Sequence, residues 1–558
     1  KRDAIRLIVS LGPSLTKTNL FKLEKAIIKG PSNELYPTDI ELKELKRVKD
    51  HEIWLRLAKL SNTDIELSKE TVSKLQELEN IYSFKIKNDG QDEFPYWIGD
   101  GDDYKTFSKA PQNRRELAEW LKRNSGDDQV AKDTWVELCE TNFLRVITTL
   151  YMLSKENFWP ETRWKQALQA WSNKKCISRL SRRLMSLFLQ MPKEIFISIS
   201  CSLGYWLKTI TKNSLPCHET DFFNLCQKLL NLKYNIIQLH DPVNSTINHN
   251  VGHVTQAILN WWFNHKPEDD QEIPEKISTI LTKCCDPKIK KFQPARLLLA
   301  ANAITFFRID KNWSRRYLLN LLNWNFSSVE ALIAWEGFLW NPRLYYPFLA
   351  EIKPNLLKTV THFEELTEYS KQQYVALITY IALDKKDIFS VSELRNVYKT
   401  LPQDGLNVAA NILVLAQKVS GEQKEIYWDN CIVPFWGKIW PKSSNVASAH
   451  ISEELVQLCI VSGNRFPQAL SLLSEWIKLN PIEDINYIIH LLYSSKHCTK
   501  FPESSLVLLD TIIIDPPWLH ADKLKSCLDE IKTSNANLEL DQKFMKIKQI
   551  WKKHKSNI

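Results

Sequence analysis

Glycine is scarce in this sequence, 13 of 558 residues, about a third of the usual frequency near 7%. Glycine supplies the positive-φ corners of tight hairpins, dinucleotide-binding loops and phosphate loops. Its scarcity argues against β-rich folds and against glycine-loop nucleotide sites. No GxxxxGK[ST], GxSxG or GxGxxG pattern occurs, so the common nucleotide-binding and serine-hydrolase signatures are missing. Also missing is any apolar run of the ~18–20 residues that span a membrane, and any secretory leader at the start. There is no CxxC pair among the 11 cysteines. Most lie in apolar helical patterns (Cys139, Cys201, Cys226, Cys459), where a thiol packs as a small hydrophobe. That usage suits a reducing compartment, and the cytoplasm is the expected location.

What is present is charge of both signs and many large aromatics. Lys+Arg 74 against Asp+Glu 65 gives a net charge of +9, a mild excess over this length. Basic residues cluster only near the end, at Lys543, Lys546, Lys548, Lys552, Lys553 and Lys555. A solvated helix end is favoured there over a nucleic-acid arm, and no arginine-rich stripe tracks a phosphate backbone. The 20 tryptophans recur within helical patterns, as expected of rings that fill the space between helices.

Apolar spacing at i, i+3, i+4 and i+7 predicts helices along most of the chain. Examples are Ile53, Trp54, Leu57 and Leu60 on one stripe, and the helices Ser181–Met191, Lys193–Lys208 and Glu219–Leu230. At 558 residues one globular core is too small a container, so an elongated array of helix pairs or several domains is required. Phe466-Pro467 recurs as Phe501-Pro502, 35 residues on, each ahead of an apolar helix. That offset lies close to the ~34–47-residue periods of helix-pair repeats. The expected fold is all-α, an irregular HEAT- or TPR-like solenoid in two or three subdomains. Expected divisions are 1–110, an N-terminal helical segment with an irregular loop over 89–104; 111–265, a central helical region; and 266–558, a helical-repeat region. The chain opens inside an amphipathic helix without Met or a cap, so an upstream region is expected.

Three polar or aromatic stretches are candidate sites. In Asn248-His249-Asn250-Val251-Gly252-His253 the two histidines stand i, i+4 apart, the spacing of a metal pair on a helix. The Glu of HExxH and a nearby third ligand are missing, so a structural pair is favoured and no cofactor is expected. Gly252 is expected to serve close helix packing. Asp100-Gly101-Asp102-Asp103 lacks the alternating ligands of a calcium loop. Its aromatic neighbours Phe94, Trp97 and Tyr104 suit a protein-contact surface, since aromatic anchors dominate binding hot spots. Trp335, Glu336, Trp340, Arg343 and Tyr345 crowd one helix corner; the bland reading is a packed corner with Glu336 and Arg343 paired, the functional one a contact or shape-determining region.

Several of these stretches together carry a resemblance: Asp92–Asp100, Ala167–Ser172, Asn248–Val254, Trp335–Tyr345 and Ile439–Ser443. In order and spacing they resemble the uncharacterised helical region at the C-terminus of large bacterial sirtuin-like proteins associated with anti-phage defence. The likeness runs over nearly the whole chain. It implies a recognition or scaffold half that senses a phage component or drives assembly, serving a separate NAD-consuming domain. No catalytic residue is carried over, so the chain alone is not expected to be an enzyme. A protein partner is expected, with oligomerisation open and membrane and nucleic acid disfavoured. The alternatives are a metal-dependent enzyme centred on His249 and His253, and a nucleic-acid binder using the basic C-terminus.

Overall fold

The computed structural model describes residues 2–32, 42–63, 65–82, 109–124, 133–172, 181–213, 219–384, 386–443, 446–514 and 521–555. Among these residues there is no β-strand, and the regular structure is helical throughout. The chain divides into two compact units, with the described residues up to Tyr82 in the first and those from Lys109 onward in the second.

The first unit contains α1 (Arg2–Leu11), α2 (Lys17–Lys29), α3 (Leu42–Ser61) and α4 (Lys69–Tyr82). Its core gathers Leu20, Ile27, Ile53, Trp54, Leu57, Leu60 and Leu78, which includes the stripe expected on α3. Buried Glu24 of α2 accepts the Ser68 N–H at 3.2 Å and the Thr71 hydroxyl at 2.9 Å. A carboxylate thereby meets the free N–H groups and positive dipole end of α4.

The second unit opens with α5 (Arg114–Arg123), α6 (Trp135–Thr141), α7 (Phe143–Lys155), α8 (Glu161–Ser172), α9 (Ser181–Gln190), α10 (Lys193–Asn213) and α11 (Glu219–Leu230). It continues with α12 (Pro242–Ile247), α13 (Asn250–Phe263), α14 (Glu275–Cys284), α15 (Gln293–Ala301), α16 (Ala303–Ile309), α17 (Lys311–Trp313), α18 (Ser328–Leu339), α19 (Tyr346–Lys358) and α20 (Glu368–Leu383). The last part holds α21 (Val391–Thr400), α22 (Gln403–Val419), α23 (Lys424–Tyr427), α24 (Val433–Lys438), α25 (Ala449–Val461), α26 (Phe466–Ile477), α27 (Ile485–Ser494), α28 (His497–Lys500), α29 (Pro502–Ile512), α30 (Ala521–Ser534) and α31 (Gln542–Lys555).

One row of helices runs along this unit, each packed on the next: α8, α10, α13, α15, α18, α20, α22, α25, α27 and α30. Their partners contact one another alongside, as α9 does α11, α19 does α21, α26 does α29 and α29 does α31. Helices of the first row are flanked on several sides, and α18 is accordingly buried on nearly every face. That is why it reads as apolar all round rather than as one stripe. Packing is continuous from α13 to α15, across residue 265, where the sequence reading places a boundary.

Polar ties between successive pairs reveal the repeat. The Trp324 indole N–H reaches Thr359 at a separation of 35 residues, Arg315 reaches Glu351 at 36, Arg465 reaches Asp429 at 36 and Lys546 reaches Asp510 at 36. Phe466 and Phe501, the two copies seen in the sequence, stand 6.2 Å apart with His497 stacked on Phe466 at 4.5 Å. Each opens a helix with proline in its first turn, where the missing N–H costs nothing. Cys201, grouped in the sequence with the buried thiols, is exposed on α10, whereas Cys139, Cys226 and Cys459 are buried.

Candidate functional site

The corner that follows α18 is built by close helix contact. A Cβ at Gly337 would stand 2.2 Å from the Leu297 carbonyl oxygen, so only glycine lets α18 lie directly on α15. This approach takes Trp335 and Glu336 out of reach of solvent, at 0% and 1% exposure. The Trp335 indole N–H donates to the Leu322 carbonyl at 3.0 Å. Glu336 accepts the Thr367 N–H at 2.6 Å, the Thr367 hydroxyl at 2.8 Å and the Ser370 hydroxyl at 2.7 Å. The carboxylate therefore caps the start of α20, the same device as Glu24 on α4.

This corrects two expectations. Glu336 does not pair with Arg343, which is exposed, because the nearer helix end offers it three donors. Trp335 and Glu336, expected among the contact residues, are instead buried inside the corner. Arg343 and Leu344 (43% exposed) face solvent, and Trp340 and Tyr345 are half-buried. Tyr369 donates its hydroxyl to the Trp340 carbonyl at 3.1 Å, and Tyr346 donates to the Asp384 carboxylate. Burial, together with Asp384, pushes the Tyr346 phenol well above its ordinary range. Phe94, Trp97 and Tyr104 lie outside the described residues.

The histidine pair is held by the fold. His249 is not inside a helix but at the N-cap of α13, where Nδ1 accepts the Val251 N–H at 3.1 Å. Its Nε2 donates to the Asn235 carbonyl at 3.1 Å, so both ring nitrogens are engaged. His253 is buried against Tyr205 of α10, ring centroids 5.5 Å apart. Burial, helped by Lys208, pushes it down to about 4, leaving it neutral near pH 7. Gly252 allows the close approach expected of it: a Cβ there would lie 2.0 Å from the Thr246 carbonyl oxygen. Among the described residues no group of three or more His, Cys, Asp or Glu is placed to hold a metal.

The basic C-terminus is largely answered by its own acids. Lys546 pairs with Asp510 at 2.7 Å, and Lys548 and Lys532 share Glu539 at 3.1 and 2.7 Å. No described helix is long and apolar enough to cross a membrane.

A further repeated feature lies where α22, α25 and α27 end. Each turns back through a residue of positive φ: Gly421 at 56°, Gly463 at 68° and Lys496 at 62°. Just before it, a serine hydroxyl donates to the carbonyl three residues earlier: Ser420 to Gln417 at 2.6 Å, Ser462 to Cys459 and Ser495 to Leu492 at 2.7 Å. The sequence signal is Val419-Ser420-Gly421 repeated as Val461-Ser462-Gly463, hidden because the third copy is Ser494-Ser495-Lys496. The three stacked turns line an open cleft of about 450 Å³ with Gln417, Lys418, Lys424, Ile460, Leu491 and His497 among its walls.

Fold and sites together define an all-α array of helix pairs in which buried carboxylates such as Glu24 and Glu336 serve helix starts. No protein family matches the chain, and no curated protein and no solved structure matches it.

Proposed function

We propose that the chain is a non-catalytic recognition or scaffold module of a bacterial anti-phage defence protein. In this reading it senses a phage component, or mediates assembly, on behalf of a separate NAD-consuming sirtuin-like effector, and it works in the cytoplasm. The reading draws its defence context from the sequence resemblance. The observation that carries the recognition role is the disposition of side chains along the array. Carboxylates such as Glu24, Glu336 and Glu425 are engaged at helix starts, while large apolar groups stand outside. Tyr369 (51% exposed), Val419 (85%) and Ile426 (60%) belong to α20, α22 and α23, neighbours beyond the Arg343–Tyr345 corner. Aromatic, aliphatic and Arg groups on a helix-pair scaffold are the usual anchors of a protein interface.

Two measurements test it. Purified chain incubated with NAD is expected to release no nicotinamide above the buffer rate; turnover by the chain alone contradicts the proposal. In cells carrying the defence protein, phages that escape are expected to map to one phage protein that binds the chain. Arg343→Ala with Tyr345→Ala is expected to weaken that binding about tenfold, or about 1.4 kcal/mol. A metal-dependent enzyme at His249 and His253 gains no support from the geometry, since His249 uses both nitrogens in the backbone.

A further inference from the structure

Two cysteines meet where the single turn of α28 packs on α30. Cys498 lies on α28 and Cys527 on α30; both are 0% exposed, and neither is in a disulfide. The Cys527 thiol donates to the Ile489 carbonyl at 3.8 Å, and the Cys498 thiol donates to the Cys527 sulfur. Neighbouring contacts bring the same two faces together. Thr499 donates its hydroxyl to Glu530 at 3.2 Å, and Lys496 pairs with Glu530 at 3.6 Å. Glu530 follows Cys527 by three residues, on the same face of α30.

Two thiols in contact across two helices are one two-electron oxidation away from a covalent tie. The contact with Cys527, together with burial, holds the Cys498 thiol well above its ordinary range. In the closed structure it therefore stays protonated and unreactive. Reaction waits for α28 to lift away, and α28 is the weak joint in this part of the array. It is one turn of four residues, too short to hold itself helical. The chain enters it through Lys496 at a φ of 62°, a left-handed conformation unfavourable for a residue with a Cβ. Its outer ties to Glu530 face solvent, where such pairs hold weakly. Local opening of this turn is thus available without unfolding the array.

We propose that Cys498 and Cys527 form a redox latch, oxidised by a hydroperoxide to a disulfide that ties α28 to α30. In the opened turn one sulfur, as thiolate, attacks the peroxide O–O bond and becomes a sulfenic acid, releasing water or an alcohol. The second thiolate attacks the sulfenic sulfur; the S–S bond forms and water leaves. Two electrons pass from the sulfurs to the peroxide, and both thiol protons end in the oxygen products. A partner sulfur within reach favours this outcome over further oxidation to sulfinic acid. A thiol reductant reverses it by exchange. The latch stands on this contact and not on the defence reading.

Treatment of the whole chain with hydrogen peroxide, then blocking of free thiols and mass spectrometry of unreduced peptides, tests it. A crosslink between Cys498 and Cys527 is expected to accumulate and to vanish with dithiothreitol, while the equally buried Cys459 stays a free thiol. Glu530→Ala, which loosens the turn, is expected to speed crosslinking about threefold, the weight of a surface tie. Hydrogen exchange is expected to show α28 more protected in the crosslinked chain than in the reduced one. In Cys527→Ser the crosslink is expected to be absent and Cys498 to be trapped by dimedone as a sulfenic acid. Should that variant fold poorly, the measurements on the unchanged sequence still decide. Both thiols left free, oxidation to sulfinic acid without a crosslink, a rate indifferent to Glu530→Ala, or a crosslinked α28 no better protected overturns the proposal.

Discussion

Arg296 shows what a buried charge does in this molecule. It is 0% exposed, and its Nε donates to Glu330 at 2.6 Å while Nη1 donates to the carbonyls of Cys284 and Asp286, both at 3.0 Å. The guanidinium thus ties the end of α14 to α18, with Glu330 held further by the Gln293 amide at 3.3 Å. Desolvating two charges is costly, and such a pair holds only where further hydrogen bonds complete it. Removing one partner is worse than removing both. Arg296→Met is expected to lose about 3–5 kcal/mol in urea denaturation, because Glu330 is left buried and unpaired. Arg296→Met combined with Glu330→Leu is expected to recover most of that, falling short by the lost carbonyl bonds, about 1–2 kcal/mol. A double variant no more stable than the single one would contradict this role.

Helix ends are where elements meet. Carboxylates sit on helix starts, Glu24 at α4, Glu336 at α20 and Glu425 at the turn into α26, where it accepts the Asn464 N–H at 2.9 Å. Cations sit on helix ends, Lys228 on the Leu189 carbonyl of α9 at 2.9 Å and Lys291 on the Leu230 carbonyl of α11 at 2.7 Å. Each sign answers the local dipole. Glycines mark the crossings, and their scarcity sharpens their meaning. Gly337→Ala is expected to destabilise by about 2 kcal/mol or more, since the new methyl meets the Leu297 backbone. Gly437→Ala, with open space around it on α24, is expected to be neutral or to stabilise by up to about 1 kcal/mol. Thermal unfolding of the two variants distinguishes them.

Helix spans were legible because their signal is local: the 3.6-residue apolar period and proline-opened turns mark α10, α11, α26 and α29. Glu336 was not legible in its role, because its partner Thr367 lies 31 residues on and depends on the register of the next pair. The same holds for His249, whose ring turns back to Asn235 rather than along the helix. Aromatic crowding at 335–346 signals a tight corner, and sequence alone does not say which rings face inward.

At the scale of the molecule, the second unit is one continuous row of helix pairs, tied to their neighbours by side chains about one repeat apart. Arrays of this kind respond to damage locally, through nearest-neighbour contacts. The residues with the look of a site, above all Glu336, join one pair to the next. Hydrogen exchange of Glu336→Ala, read by mass spectrometry under native conditions, tests it most directly. Amides at Thr367–Ser370 and through α18 and α20 are expected to lose protection, while those of α10 and α13 keep theirs. Unchanged protection at the start of α20, or an equal loss along the whole row, would contradict it.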